Sequence, residues 1–513
     1  MSNAHFPILS LIMLLPLAGA GAIIFCANIK LAKTIALATA SLSLAASLWL
    51  VYSFNPDDGG LQFIEQYAWI PSLHIEYLLG VDGISVLFLP LTTVLTLMSI
   101  VASWHSPAQS RLYFSLLLCL EAASLGVFSA LDMVLFFCFW QLTLPPMFFL
   151  SGVWGLSALR RNAASKAILI NVFGSLLLLF AIIMLAVNHA LQINSHLPVD
   201  LSFSFPALLE TPLPDNLQPL VFILLLIGFA TKAPLIPLHS WLPQLAMAGP
   251  TPMTAVLIGL KLGTYGILRY AMTLTPSAAV EYDWVLGIIG AITLIYGALL
   301  SLQQSNLRRL LAFASISHTG LVIIGIASLN MQGIQGAILQ LLNFTLIVAV
   351  LMLITGFIQH RLGSTDLHHL GGLAQAMPKL TGFYFLFMLA SLGVPGSNVF
   401  PADLLLILGA LKAHPSLGIT AFTGALLSTA CLLSFSRRAF LSPSTRTSIS
   451  PNQDLRPREL ILLCLPLLLL LFGGLFPNSL LDINQKAAEV WLTRLLDQPG
   501  MEGDELASWT GTL

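Results

Sequence analysis

Two lysines lie inside long apolar runs of this sequence. Lys232 sits in Phe229-Ala-Thr-Lys-Ala-Pro-Leu-Ile-Pro-Leu-His-Ser-Trp-Leu-Pro243, and Lys261 in the run that follows. The prolines at 234, 237 and 243 have no N–H and clash with the preceding turn, so a helix here must break and leave carbonyls without helical partners. In lipid such carbonyls survive only where they are buried in protein or line a wet cavity. A charged lysine at that depth costs about 2.5–3.5 kcal/mol to insert. A structural lysine would snorkel from a helix end, whereas both of these lie well inside their runs. A helix break beside an intramembrane cation is suited to proton or ion movement. Burial favours a neutral amine and a nearby carboxylate favours the ammonium, so a lysine balanced between them loads and releases a proton when its partner moves.

Other titratable groups fall in similar places. Asp403 follows a second break, Gly393-Val-Pro-Gly396 with Pro401, and is either a proton group or the N-cap of the helix that resumes there. Glu121 lies mid-run in Cys119-Leu-Glu-Ala-Ala-Ser-Leu-Gly126 and is expected as a proton site or as a lysine partner. His318, in Ser315-Ile-Ser-His-Thr-Gly320, and His239, after the first break, can relay protons near neutral pH or act as satisfied hydrogen-bonding groups. Gln141 follows Trp140 in a run without charge, where an amide can bind between helices. The pair His368-His369 reads as solvated surface. The expected proton pathway is therefore Lys232, Lys261, Asp403, Glu121, His318, His239 and Gln141.

The elements that must hold these groups are membrane spans. Of 513 residues, 57% are hydrophobic and 8% charged, with mean hydropathy +0.90, against roughly 25% charged in soluble domains. The net charge of −1 argues against a nucleic-acid partner. Five cysteines scattered through apolar runs, with no CxxC, exclude iron–sulfur, zinc and disulfide frameworks. No glycine-rich phosphate loop is present, so no cofactor is expected on this chain. The first apolar run lacks a cationic leader and a cleavage site and is kept as a membrane helix. With about 20 residues needed per span, the runs 8–27, 33–53, 83–104, 112–130, 133–153, 166–188, 218–243, 251–273, 284–302, 309–329, 333–358, 379–409, 415–435 and 459–476 predict an all-α polytopic protein of about 14 transmembrane helices. Beyond them, 477–513 is mixed and acidic. Its amphipathic piece at 484–496 is expected either as a partner contact or as an interfacial helix.

Basic residues set the orientation. With the first connection cytoplasmic, fifteen lie on that side, from Lys30 and Lys33 to Arg456 and Arg458, and Arg308 is among them. Only Arg269, Lys412, Lys486 and Arg494 lie on the other. The long connections 54–82 and 189–217 hold acids and no Lys or Arg, so both termini are expected outside the cytoplasm. The two proline-broken spans, the seventh and twelfth, stand five apart. An odd offset reverses orientation, the mark of inverted repeats. The division is 1–110 (three N-terminal helices), 111–275 (first five-helix repeat), 280–436 (inverted second repeat) and 437–513 (last helix and tail).

Five segments carry a resemblance. They are Tyr77-Leu-Leu-Gly-Val-Asp-Gly-Ile-Ser85, Phe139-Trp-Gln-Leu-Thr-Leu-Pro-Pro-Met147, Lys232-Ala-Pro-Leu-Ile-Pro-Leu-His-Ser-Trp-Leu-Pro243, Leu307-Arg-Arg-Leu-Leu-Ala-Phe-Ala-Ser-Ile-Ser-His-Thr-Gly320 and Ser391-Leu-Gly-Val-Pro-Gly396. Together they resemble the antiporter-like proton-channel subunits of respiratory complex I, of the subunit M or chain 4 type. The resemblance implies fourteen helices, inverted repeats, and a polar axis to which Lys232, Lys261 and the acidic position 403 belong. It also implies a bacterial inner-membrane setting, neighbouring antiporter-like subunits, and redox chemistry housed elsewhere in the complex. This chain departs from the family at several points. Gln141 stands where the family has the glutamate that partners the broken-helix lysine. Gln244-Leu-Ala-Met-Ala-Gly-Pro-Thr251 lacks three polar groups of the family loop. Asn343-Phe344 replaces Asn-His, and Asp403 shortens a glutamate. Three functions remain open. One is a proton-translocating subunit in which Glu121 substitutes for the missing acid. Another is a paralogue serving an inorganic-carbon uptake, membrane-bound hydrogenase or multisubunit cation/proton antiporter complex. The third is a non-conducting structural subunit.

Overall fold

The structure is a computed structural model and describes residues 6–104, 111–192, 201–443 and 454–496. The polar tail past 496, Arg446 and the middle of the 189–217 connection lie outside them. Among the described residues, eleven helices are long and apolar enough to cross a membrane. The other three expected positions, the third, seventh and twelfth, hold shorter or broken helices. Helices α1 (Ile8–Phe25) and α2 (Ile29–Ser53) meet at Asn28, whose side chain accepts the Lys30 N–H and caps α2.

The 54–82 connection is not plain loop. It carries an antiparallel hairpin, β1 (Gln62–Ile70) and β2 (Ile75–Val81), in which Tyr67 faces Tyr77. The purely helical expectation is corrected here. Phe63, Tyr67, Trp69 and Ile70 favour a pleated strand. Glu65 adds a long-range tie by accepting the Leu9 N–H at 2.7 Å at the start of α1, where helical N–H groups lack partners.

The first half continues through α3 (Phe88–Ala102), α4 (Arg111–Ser129), α5 (Met133–Leu142), α6 (Leu144–Trp154), α7 (Arg160–Gln192) and the short α8 (Phe205–Glu210). Asp132 caps α5 by accepting the Val134 and Leu135 N–H groups, and α5 and α6 form one span dislocated at Thr143, just before Pro145 and Pro146. The lysine-bearing span breaks as its prolines predict: α9 (Gln218–Lys232) ends on the lysine and α10 (Trp241–Ala248) resumes after a single turn at Leu238–Ser240. Trp241 Nε1 donates to the Thr231 carbonyl at 2.8 Å, satisfying an oxygen near the break.

The next span was expected as one helix and is not. It runs as α11 (Thr251–Gly259), α12 (Leu262–Gly266), a π-wound turn (Ile267–Ala271) and α13 (Met272–Leu274), interrupted at Leu260 and Lys261. Gly263 accounts for the geometry. A Cβ there would lie 2.2 Å from the Ala233 nitrogen, so the start of α12 presses backbone to backbone on the broken end of α9.

After α14 (Pro276–Glu281) come α15 (Asp283–Leu302), α16 (Leu307–Ala327), α17 (Met331–Leu362) and the short α18 (Leu373–Ala376). The second broken span is α19 (Pro378–Ser391) and α20 (Val399–Ala413), separated by a bend in which Gly393 and Gly396 have φ +67° and +95°. The last described helices are α21 (Pro415–Phe440), α22 (Pro457–Leu475) and α23 (Asn478–Leu496). Helices α16 and α17 are buried throughout their membrane-spanning windows and form the centre, while α2, α7, α21 and α22 are mostly open on their outer faces. Helix α7 packs on α9, and α17 on α20.

Two arginines assigned to loop edges are interior. Arg269 is paired with Asp82, and Arg308 donates to the Gly249 carbonyl and to Gln359. The amphipathic C-terminal piece, left open between two roles, lies against its own chain. Asn484, Ala487, Ala488 and Trp491 are buried on α13, α14 and α17.

Candidate proton pathway

Lys232 is the last residue of α9, and its ammonium turns toward the carbonyl end of α5. It donates to the Trp140 carbonyl at 2.5 Å and to Thr143 Oγ1 at 2.7 Å, and lies 3.8 Å from the centre of the Trp140 indole ring. The expected counter-ion Glu121 is not there. Glu121 is fully buried on α4 with both carboxyl oxygens unpartnered, and none of the four ion pairs among the described residues includes it or Lys232. A helix end supplies compensation instead. The C-terminal end of α5 meets the ammonium through the Trp140 carbonyl, worth about 0.3–1 kcal/mol and up to about 2 when partly buried. A desolvated cation over an indole contributes about 2 kcal/mol.

Lys261 sits in the gap between α11 and α12, which frees its side chain to reach α16. Its ammonium bonds the Ser315 hydroxyl, the Ser315 carbonyl at 3.1 Å and Thr319 Oγ1 at 3.1 Å, so its three protons meet three neutral oxygens. His318 lies between these two partners in sequence. Its Nδ1 has no partner, and its ring stacks on Phe344 with centroids 3.5 Å apart. The phenyl ring at 344 thus covers the imidazole where the resemblance implied a second histidine.

Phe344 and Gln340 stand one turn apart on α17. Gln340 Nε2 donates to Asp403 Oδ1 at 2.5 Å, and Asn343 Nδ2 to the Asn398 carbonyl at 2.7 Å. Asp403 is not the N-cap of the resumed helix. That position belongs to Asn398, and Asp403 lies a turn further in, with its other oxygen beside Gly393 in the bend.

The structure thus joins Lys232, Lys261, His318 and Asp403 through adjoining elements: α9 on α12, Lys261 on α16, His318 on α17, and α17 on α20. Glu121 stands apart from that line. His239 lies after the first break with its ring edge-on to Tyr296 at 5.1 Å and its Nδ1 unbonded, and Gln141 makes no bond to Lys232, its Oε1 being unpartnered. Sequence reasoning missed Thr143, Ser315, Thr319 and Gln340. Only Gln340, an amide deep in the apolar run 333–358, gave a readable signal.

Charged groups at the breaks of interrupted helices, inside a bundle whose central helices do not touch lipid, define a class of antiporter-like membrane subunit. The chain belongs to the NADH:quinone oxidoreductase/Mrp antiporter transmembrane family, which it matches over residues 130–428. It is 34% identical over 490 residues to NADH-quinone oxidoreductase subunit M of Rhodobacter capsulatus, covering 93% of this chain and 94% of that one. Its fold matches a chain of respiratory complex I from Thermus thermophilus with bound NADH, at TM-score 0.86 and 26% identity, over 95% of this chain and 99% of that one. A chain of the Mrp complex from Dietzia sp. DQ12-45-1b shares the fold at TM-score 0.80 and 23% identity, over 95% and 99%.

Proposed function

We propose that this chain translocates protons as a membrane subunit of a complex I-like, quinone-linked assembly, along Lys232, Lys261, His318 and Asp403 in that order. The observation that carries the reading is the succession of packed helices from one break to the other, with Lys232, Lys261, His318 and Asp403 along it. Lys232 and Lys261 alternate between ammonium and amine, each bonded in its charged form by neutral oxygens. Electrostatic change at a neighbouring subunit shifts one site and, through the low dielectric of the interior, the next. His239 and Gln141 border the first break without belonging to the line. The five-helix units 111–275 and 280–436 act as inverted repeats, with 1–110 and 437–513 packed around them in a fold of about 14 spans. The redox steps and their cofactors belong to other subunits, with related antiporter-like subunits alongside. The protein resides in a bacterial inner membrane with both termini on the non-cytoplasmic side, a placement the basic-residue bias supports.

The test is proton translocation per turnover by the assembled complex carrying Lys232→Met or Lys261→Met. Each is expected to remove this subunit's share of pumping while quinone reduction persists. Undiminished pumping in both variants would leave a structural spacer. Mass spectrometry of what copurifies with the tagged chain separates a quinone reductase from the related assemblies.

A further inference from the structure

Between His318 and Asp403 the row meets an apolar ring. Phe344 is 2% exposed and lies nearly flat on the His318 imidazole, with centroids 3.5 Å apart and planes 26° from parallel. A phenyl ring has no atom that exchanges a proton. His318 Nδ1, under this ring, has no partner, and neither has Gln340 Oε1, one turn back on the same face of α17. Gln340 Nε2 meanwhile holds Asp403 Oδ1 at 2.5 Å. Buried polar atoms are ordinarily bonded. Here two of them belong to the residues next to the ring.

Both halves of this stack are tied to the break that carries Lys261. On α16, the Lys261 ammonium holds Ser315 and Thr319, which stand on either side of His318 in the sequence. On α17, the residue after Phe344 is Thr345, whose hydroxyl donates to the Gly259 carbonyl at 2.9 Å. Gly259 is the last residue of α11, just before Leu260 and Lys261. A Cβ at Gly259 would lie 2.9 Å from the Thr345 carbonyl oxygen, so the end of α11 bears directly on the backbone of α17. The break therefore grips the imidazole-bearing helix through the ammonium and the phenyl-bearing helix through the backbone.

We propose that Phe344 gates proton transfer from His318 to Asp403, and that the charge on Lys261 sets the gate. The inference rests on the lysine row conducting protons, as argued above. With Lys261 charged, its bonds to Ser315 and Thr319 hold α16 against the break, and the stack stays shut. When Lys261 passes its proton to His318 it becomes a neutral amine, whose bonds to those oxygens are weaker than an ammonium's. The stack then opens, and water entering where the ring stood bonds His318 Nδ1 and Gln340 Oε1. His318 releases the one proton it received, and the Asp403 carboxylate takes it and becomes a neutral acid. Recharging Lys261 closes the ring again, so the row is never continuous from one helix break to the other.

The experiment uses the complete assembled complex in vesicles, with quinone-reductase turnover as the check on assembly. Proton conductance is read at rest, under an imposed pH gradient, and pumping is read per turnover. Phe344→Ala removes the ring, and is expected to raise the resting conductance several-fold and to lower the pumping yield. Adding Lys261→Met to it is expected to return the conductance to the wild-type level, because the leak runs along the row. Thr345→Val, which keeps the shape but frees the ring from the break, is expected to leak in the same way and keeps the test open if Phe344→Ala fails to assemble. A leak that persists in the double variant is a packing defect and overturns the gate. Wild-type conductance and yield in Phe344→Ala and Thr345→Val, with pumping lost in Lys261→Met, overturn the gate and leave the lysine row standing. Normal pumping in Lys261→Met overturns the row itself.

Discussion

Lys232 lies in the interior with no carboxylate of the described residues in contact, and single groups take the place of one. The Trp140 carbonyl, the Thr143 hydroxyl and the indole face take the place of the acid that Gln141 does not supply. Thr143→Val keeps the shape and removes one charge-assisted bond, worth about 1.5–3 kcal/mol. Pumping is expected to fall while the complex still assembles, read as protons moved per turnover. Glu121→Gln should behave differently. The carboxyl touches no cation, so its isosteric amide is expected to leave pumping and assembly at wild-type levels, and a pumping loss matching that of Lys232→Met would place Glu121 in the row after all. The lysines were legible in sequence because a cation inside an apolar run is rare. Their partners were not. Trp140 and Thr143 lie 92 and 89 residues upstream and are ordinary membrane residues, and no spacing rule connects them to position 232.

At the scale of elements, prolines made the seventh and twelfth breaks readable, because a missing N–H acts wherever the chain later packs. The interruption at Lys261 was hidden, since no proline lies between Pro252 and Pro276. That break comes from tertiary approach, with Gly263 set against the end of α9. The second bend depends on Gly393, whose φ of +67° suits glycine and whose absent Cβ leaves room for Asp403 Oδ2, only 2.9 Å from where that atom would be. Gly393→Ala is expected to cost about 1–2 kcal/mol for the left-handed backbone alone and to displace the carboxylate, lowering both the thermal midpoint of the purified complex and its pumping. Gly382→Ala, in α19 with open space around it, serves as the neutral control. Helices α16 and α17 are apolar on every side, so periodicity could not tell which face carries His318 or Gln340.

For the molecule as a whole, the position of apolar runs located most of the helices, because lipid demands closed backbone hydrogen bonding. The hairpin and the docking of α23 were not legible, since contacts such as Trp491 to Leu268 span 223 residues. That contact ties α23 to the π-wound turn of the first half. Trp491→Phe leaves a buried carbonyl without its donor, a loss of about 1–3 kcal/mol. The expected result is a lower thermal midpoint with most turnover retained, read by calorimetry and quinone reduction on the same preparation.

The oxygens around Lys232 and Lys261 also bear on ion selectivity. When a lysine in an acid–base pair gives up its proton, it leaves behind a carboxylate able to hold a metal cation. Here the deprotonated sites hold only hydroxyls, carbonyls and an indole, with no net charge and too few oxygens to replace the shell of a hydrated hard cation. On the proposed function the first two stations are therefore expected to exchange protons and reject sodium, and translocation should proceed at the same yield in media where potassium replaces every sodium ion.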